Sequence, residues 1–130
     1  MPGTGAKPTG TVGGPLHVVQ VGWDTTLFEA DAASDSLERQ RLYTRLLAGR
    51  RPGSRMTVLV LGAAPEAPRL ADGNLVVEGV PGRWAGVGRL PSRLARLDRE
   101  CAISVIATQS PFEECWASLA FARSRLPVVA

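Results

Sequence analysis

Three short apolar runs set the strongest limit on what this chain can fold into. They are Leu16–Gly22, Met56–Gly62 and Ala102–Ala107. None shows the strict polar alternation of a strand with one wet face, so each suits a strand buried on both sides. Between them lie stretches with helical spacing. Ser36–Ala48 carries Leu42, Tyr43, Leu46 and Leu47 as an apolar set, with Arg39, Gln40, Arg41 and Arg45 on the remaining positions. Asp35 reads as the N-cap of that helix, Glu38 as its capping-box partner and Gly49 as its C-terminal stop. Leu90, Leu94 and Leu97 define a second helix over Leu90–Arg99, with Pro91 in its first turn.

A third helix follows Thr108-Gln109-Ser110-Pro111-Phe112-Glu113. Ser110 is its expected N-cap, Pro111 its first residue and Glu113 the closing member of the box. Phe112, Trp116, Leu119 and Ala120 make its expected apolar face. Leu75–Val80 reads as a shorter strand near a sheet edge, and Leu126–Ala130 opens a last strand. Ala63–Gly73 and Pro81–Gly88, which holds Gly86 and Gly88, read as loops.

The order is therefore β-α-β-β-α-β-α-β. It predicts an α/β fold, a Rossmann-like doubly wound parallel sheet with helices on both faces. The 130 residues make one domain. Met1–Gly14, with five glycines and one lysine, reads as a disordered leader, and residues 15–130 as the domain. Ligands of such sheets bind beyond the carboxyl ends of the strands. Those ends are Gly22–Thr26, Gly62–Pro65 and Thr108–Glu113.

Several function classes drop out. No apolar run approaches the ~20 residues of a membrane helix, so any membrane contact would be peripheral. The net charge of +3 comes from arginines scattered among 12 carboxylates, without the dense basic and aromatic patch of a nucleic-acid binder. Cys101, Cys115 and the single histidine, His17, make no zinc set; the cysteines read as free thiols of a reducing, cytoplasmic compartment. His17 lies at the amino end of the first strand, away from the ligand end, and reads as structural. There is no P-loop, no GxGxxG and no GxSxG, so no nucleotide cofactor, metal or serine triad is expected.

Three candidate sites remain. Asp24, Thr25 and Thr26 suit contacts to a sugar, and Trp23 suits stacking on one. The same residues also suit a turn cap and packing on the sheet. Gln109–Glu113 either presents free amides to an anion or is a plain helix cap that Glu113 fills. Arg39 either reaches a ligand phosphate or carboxylate or sits on a solvated helix face.

Taken together, Leu16–Gly22, Asp35-Ser36 with Arg39-Gln40-Arg41 and Tyr43, Ile103–Glu113 and Leu126-Pro127-Val128-Val129 resemble the N-terminal domain of retaining GT-B glycosyltransferases. That large group is typified by glycogen-, sucrose- and mannose-transferring enzymes. Ser110 stands where the group more often has Asp, and Cys115 near a position often held by Gly. The resemblance implies transfer of a sugar from a nucleotide-sugar donor to a hydroxyl acceptor, with retention and without a metal. It implies that this domain handles the acceptor, and that the donor-binding C-terminal domain, with its Glu-x7-Glu pair, is absent from this sequence. On that basis the isolated chain is expected to lack transferase activity, because one wall of the cleft is missing. Trp23, Asp24, Arg39, Gln109 and Glu113 are the expected acceptor or cleft contacts, with no general base assigned.

The alternative reading is a stand-alone flavodoxin-like or receiver-like α/β module. A receiver needs clustered acids at the first strand's end and an aspartate ending a later strand. Asp24 stands alone, and Met56–Gly62 runs into Ala63-Ala64. A flavodoxin needs a Ser/Thr-rich phosphate loop, for which only Thr25-Thr26 is available.

Overall fold

The computed structural model describes residues 14–28, 35–65, 69–109, 113–122 and 127–129. The expected leader lies outside them except for Gly14. In chain order the elements are β1 (His17–Gly22), a 3-10 turn (Thr25–Phe28), α1 (Asp35–Arg50), β2 (Arg55–Ala63), β3 (Leu70–Asp72), β4 (Leu75–Pro81), α2 (Trp84–Glu100), β5 (Val105–Thr108), α3 (Glu113–Ala122) and β6 (Val128–Val129).

The strands form one six-stranded sheet in the order β3-β4-β2-β1-β5-β6. Only β3 is antiparallel to its neighbour. The α/β class and the mostly parallel sheet agree with the sequence. β1 lies between β2 and β5, with Val18 beside Met56 on one side and Val105 on the other. A central strand needs apolar side chains on both faces, because successive residues point opposite ways. Val19 and Val21 pack with Leu59, Leu61, Leu90 and Leu94 on the face covered by α2 and α3. Val18, Val58 and Val60 pack with Leu27 and Leu37 on the face covered by α1 and the 3-10 turn.

His17 is buried at the amino end of β1. Its Nδ1 lies 2.8 Å from the Cys101 carbonyl and its Nε2 2.9 Å from the Thr57 hydroxyl. A carbonyl only accepts, so Nδ1 carries the proton and Nε2 accepts from Thr57. The neutral ring is satisfied on both sides, in keeping with a structural role. Glu78, on β4, is the buried carboxylate of the same layer. Arg96 lies 2.7 Å from it, with Arg69 and Arg93 at 3.5 and 3.6 Å. Those arginines keep solvent access, which spares the full cost of burying an ion pair.

Four details differ from the sequence reading. First, α1 turns its expected apolar face outward. Leu42, Tyr43 and Leu46 are exposed, while Leu37 and Thr44 are buried and Leu47 packs beside them. Thr44 tolerates burial because its hydroxyl donates to the Gln40 carbonyl at 2.8 Å. Arg41 fixes the same rotation by bonding Asp72 at 2.7 Å and Glu38 at 2.5 Å. Gly49 lies inside α1 rather than after it, and Asp35 is its first residue rather than the cap.

Second, α2 begins at Trp84, within the expected loop. Gly86 is buried there because a Cβ would come 3.1 Å from the Pro81 carbonyl and 3.3 Å from that of Val80. Pro91 is consequently interior to the helix and leaves the Val87 carbonyl without its i+4 donor. Third, Ala63–Gly73, expected as a loop, contains β3, which pairs with β4 through the turn after Asp72 and forms the edge, so β4 lies near the sheet edge as expected. Fourth, α3 packs through Ala117 and Phe121 with Ser118 buried, whereas Leu119 is exposed. The expected cap residues Ser110 and Pro111, and Phe112 of the expected apolar face, lie outside the described residues.

Candidate functional site

The parallel strands, numbered by their order in the chain, run 3-2-1-4-5 across the sheet. The order reverses between β1 and β5. The crossover from β1 goes through α1 on one face, and that from β5 through α3 on the other. Helices that part in this way leave a crevice at the strands' carboxyl ends.

A cavity of about 220 Å³ lies there. Val58, Val60 and Leu27 form apolar wall, and Gln20, Asp24, Arg39, Gln40 and Gln109 bring the polar groups. Three of the five residues expected from the sequence, Asp24, Arg39 and Gln109, therefore line one cavity.

Asp24 follows β1 directly. Its Oδ1 accepts from the Thr26 amide at 3.1 Å and from the Thr26 hydroxyl. Burial pushes the carboxyl up, but the Ser36 hydroxyl, the two Thr26 donors and the field of Arg39 outweigh it. The net effect holds Asp24 below its ordinary value, so it is ionised at neutral pH. Arg39 sits on the first turns of α1 with its side chain exposed.

Gln109 directly follows β5 and ties the crevice together. Its amide donates to the Val21 carbonyl at 2.9 Å. Its Oε1 accepts from the Trp23 amide at 2.7 Å. That bond orients the side-chain amide, and the two Nε2 hydrogens remain as donors. Gly22 makes the contact possible, because a Cβ there would sit 2.4 Å from Oε1.

Gln40 supplies a further acceptor. Its Oε1 is buried without a hydrogen-bond partner among the described residues. Gln20 occupies the one polar position inside β1, where its Nε2 donates to Met56 Sδ at 3.2 Å.

Trp23 is connected to this cavity only through its backbone. Its ring lines a second, open basin of about 360 Å³ with Thr25, Leu61, Gly62 and Arg83. The Arg83 guanidinium stands 5.8 Å from the ring centroid. Glu113 opens α3, and its side chain is outside those described. Sequence reasoning passed over Gln20, Gln40 and Arg83. A lone Gln inside an apolar strand was the available signal for Gln20. Gln40 looked like solvated surface, and Arg83 fell in a stretch read as loop.

Among the described residues no three His, Cys, Asp or Glu side chains are grouped to hold a metal ion, and no helix is long and apolar enough to cross a membrane. Cys101 and Cys115 are half-buried free thiols. Compared with protein-family models, with curated proteins and with solved structures, the chain matches none.

Proposed function

We propose that the crevice between β1 and β5 binds a polyhydroxylated, sugar-type ligand, and that the chain is a Rossmann-like acceptor-side lobe of a glycosyltransferase. The observation that carries this reading is the polar content of the 220 Å³ cavity. It offers an ionised carboxylate on Asp24 and an unpartnered amide oxygen on Gln40 as acceptors. It offers Arg39 and the Gln109 Nε2 as donors. A hydroxyl group both donates and accepts, so a ring bearing several of them can match such a mixed set, while the apolar wall of Val58, Val60 and Leu27 suits the ring's carbon face.

The full enzyme would move a sugar from a nucleotide-sugar donor onto a hydroxyl of that ligand. A second domain would hold the donor, and this chain alone would be inactive as a transferase. Trp23 and Arg83 would face the donor side of the cleft through the open basin they line. Free thiols fit a cytoplasmic site of action.

The strand order also weighs against the alternative of a flavodoxin-like or receiver-like module. Those folds run 2-1-3-4-5, with the ligand at a different switch point. In addition, β2 ends at Leu61-Gly62-Ala63 and so offers no aspartate for phosphotransfer.

The test is ligand-observed NMR with methyl α-glucoside, methyl α-mannoside and sucrose as probes. At least one probe should receive saturation from the protein. Asp24→Ala should weaken its binding by about 10- to 100-fold, the worth of hydrogen bonds to a charged group. Failure of all three probes, or binding that Asp24→Ala leaves unchanged, would remove the reading.

A further inference from the structure

Granted the sugar-binding crevice proposed above, on which this rests, we infer that Gln40 is its specificity-determining residue and reads two adjacent ligand hydroxyls, a vicinal diol. Leu37, Gln40, Thr44 and Leu47 follow one another at spacings of three, four and three, which is one stripe of a helix. Leu37 and Thr44 are buried and Leu47 packs beside them, so this stripe of α1 faces the sheet. The Thr44 hydroxyl bonds the Gln40 carbonyl at 2.8 Å and steadies the turn that carries Gln40. Gln40 is thereby held on the wall of the 220 Å³ cavity.

The fold makes no use of its carboxamide. Oε1 is buried without a partner, and Nε2 donates to nothing among the described residues. The large majority of buried polar atoms in proteins are paired. A leucine or methionine at this place would be as good a helix former and would bury no polar atom. On the sheet side of the cavity Gln20 repeats the pattern. Its Nε2 finds only the Met56 thioether, a weak acceptor, at 3.2 Å, and its Oε1 has no partner among the described residues. The free chain therefore holds two amides in want of partners around one cavity. Asp24 and Gln109 differ, because Thr26, Ser36 and Trp23 already engage them.

The chemistry of that gap selects the ligand. A carboxamide sets one acceptor and one donor side by side. A vicinal diol answers both: one hydroxyl donates to Oε1 and its neighbour accepts from Nε2. The terminal torsion of glutamine is broad, so a turn of the carboxamide brings Oε1 from the wall to the ligand. A lone hydroxyl satisfies one atom of the pair, and an anion gives Oε1 no donor at all. Gln20 Oε1 stays as a further acceptor on the opposite side.

Gln40→Met keeps length and helix propensity and deletes the amide. In the free chain it should raise the melting temperature by roughly 2–6 °C, because an unpaired polar atom is removed. In NMR titrations with the tighter of methyl α-glucoside and methyl α-mannoside it should weaken binding about 5- to 50-fold. Monodeoxy derivatives of the same glycoside locate the diol. Removing either of two adjacent hydroxyls should cost the wild type about 5- to 20-fold and cost Gln40→Met nothing further, the non-additivity expected of groups in contact. The remaining positions should cost both proteins alike.

A Gln40→Met chain that melts lower and binds as before makes Gln40 a packing residue and overturns the inference. So does a Gln40→Met chain that discriminates among the deoxy derivatives as the wild type does. In either case the sugar site itself survives if Asp24→Ala still weakens binding. A wild-type chain that binds neither glycoside overturns the site and the role of Gln40 together.

Discussion

Gln109 is the residue on which the crevice depends. It bonds the carboxyl ends of two strands through its backbone and side chain, and it can do so only because position 22 has no Cβ. Gly22→Ala should push the Gln109 side chain off the Trp23 amide. Its side chain is exposed and free to swing away, so the cost should be about 1 kcal/mol for the lost bond, offset in part by the smaller entropy of the unfolded Ala chain. The Trp23 amide proton should move upfield, and probe binding should fall several-fold while the melting temperature changes by only a few degrees (about 2–4 °C).

His17 acts at the opposite end of β1. Burial disfavours its charged form, which outweighs the stabilising bond to the Cys101 carbonyl, and its pKa lies below the ordinary 6.5. The unfolded chain therefore binds a proton that the folded chain resists. The stability this represents is complete above about pH 6.5 and is lost as pH falls toward the folded value. Urea midpoints should hold from pH 8 to 7 and drop as pH falls below about 6.5. His17→Gln should flatten that drop. Asp24 has the opposite role in the site, since its carboxyl is held below its ordinary value and stays charged across this window.

At the scale of elements, legibility followed length and apolar content. β1, β2 and the later strands announce themselves as Val-, Ile- and Leu-rich runs, because a strand covered on both faces has no room for alternation. The three-residue β3 has no such signal. Its only trace is Asp72-Gly73-Asn74 ahead of β4, a turn sequence that pairs two strands.

The rotation of α1 was hidden because a threonine and a glutamine face the sheet where leucines were expected. The early start of α2 was hidden by Gly86 and Gly88, which lower helix propensity by about 1 kcal/mol each. Pro91 is the weak point of that helix. Pro91→Ala should restore the donor to the Val87 carbonyl and remove the ring clash with the preceding turn. We expect a gain of about 1–2 kcal/mol, less than the ~3 kcal/mol interior penalty because the unfolded chain gains freedom as well. Thermal unfolding should show a rise of roughly 3–8 °C.

For the molecule as a whole, the alternation of strand and helix was enough to place Asp24 and Gln109 at one end of the sheet, while Arg39 was joined to them only by the family resemblance. The reason is topological: parallel strands bring their following loops to one end of the sheet. What the alternation did not contain was which side of β1 each side chain would take. Trp23 and Asp24 are adjacent in sequence, yet one lines the open basin and the other the cavity. It also did not contain Gln40, whose place follows from the rotation of α1. The strand order 3-2-1-4-5 is a property of the assembled sheet and is what separates the proposed fold from its flavodoxin-like alternative.

The central claim is that the crevice between β1 and β5 binds a polyhydroxylated ligand. The most direct measurement is a titration of the isotope-labelled chain with the tightest of the three sugar probes, followed by amide chemical shifts. The account predicts saturable shifts that cluster at Gly22, Asp24, Arg39, Gln40 and Gln109 and vanish in Asp24→Ala. Shifts that do not saturate, or that cluster away from the carboxyl ends of β1 and β5, would contradict it.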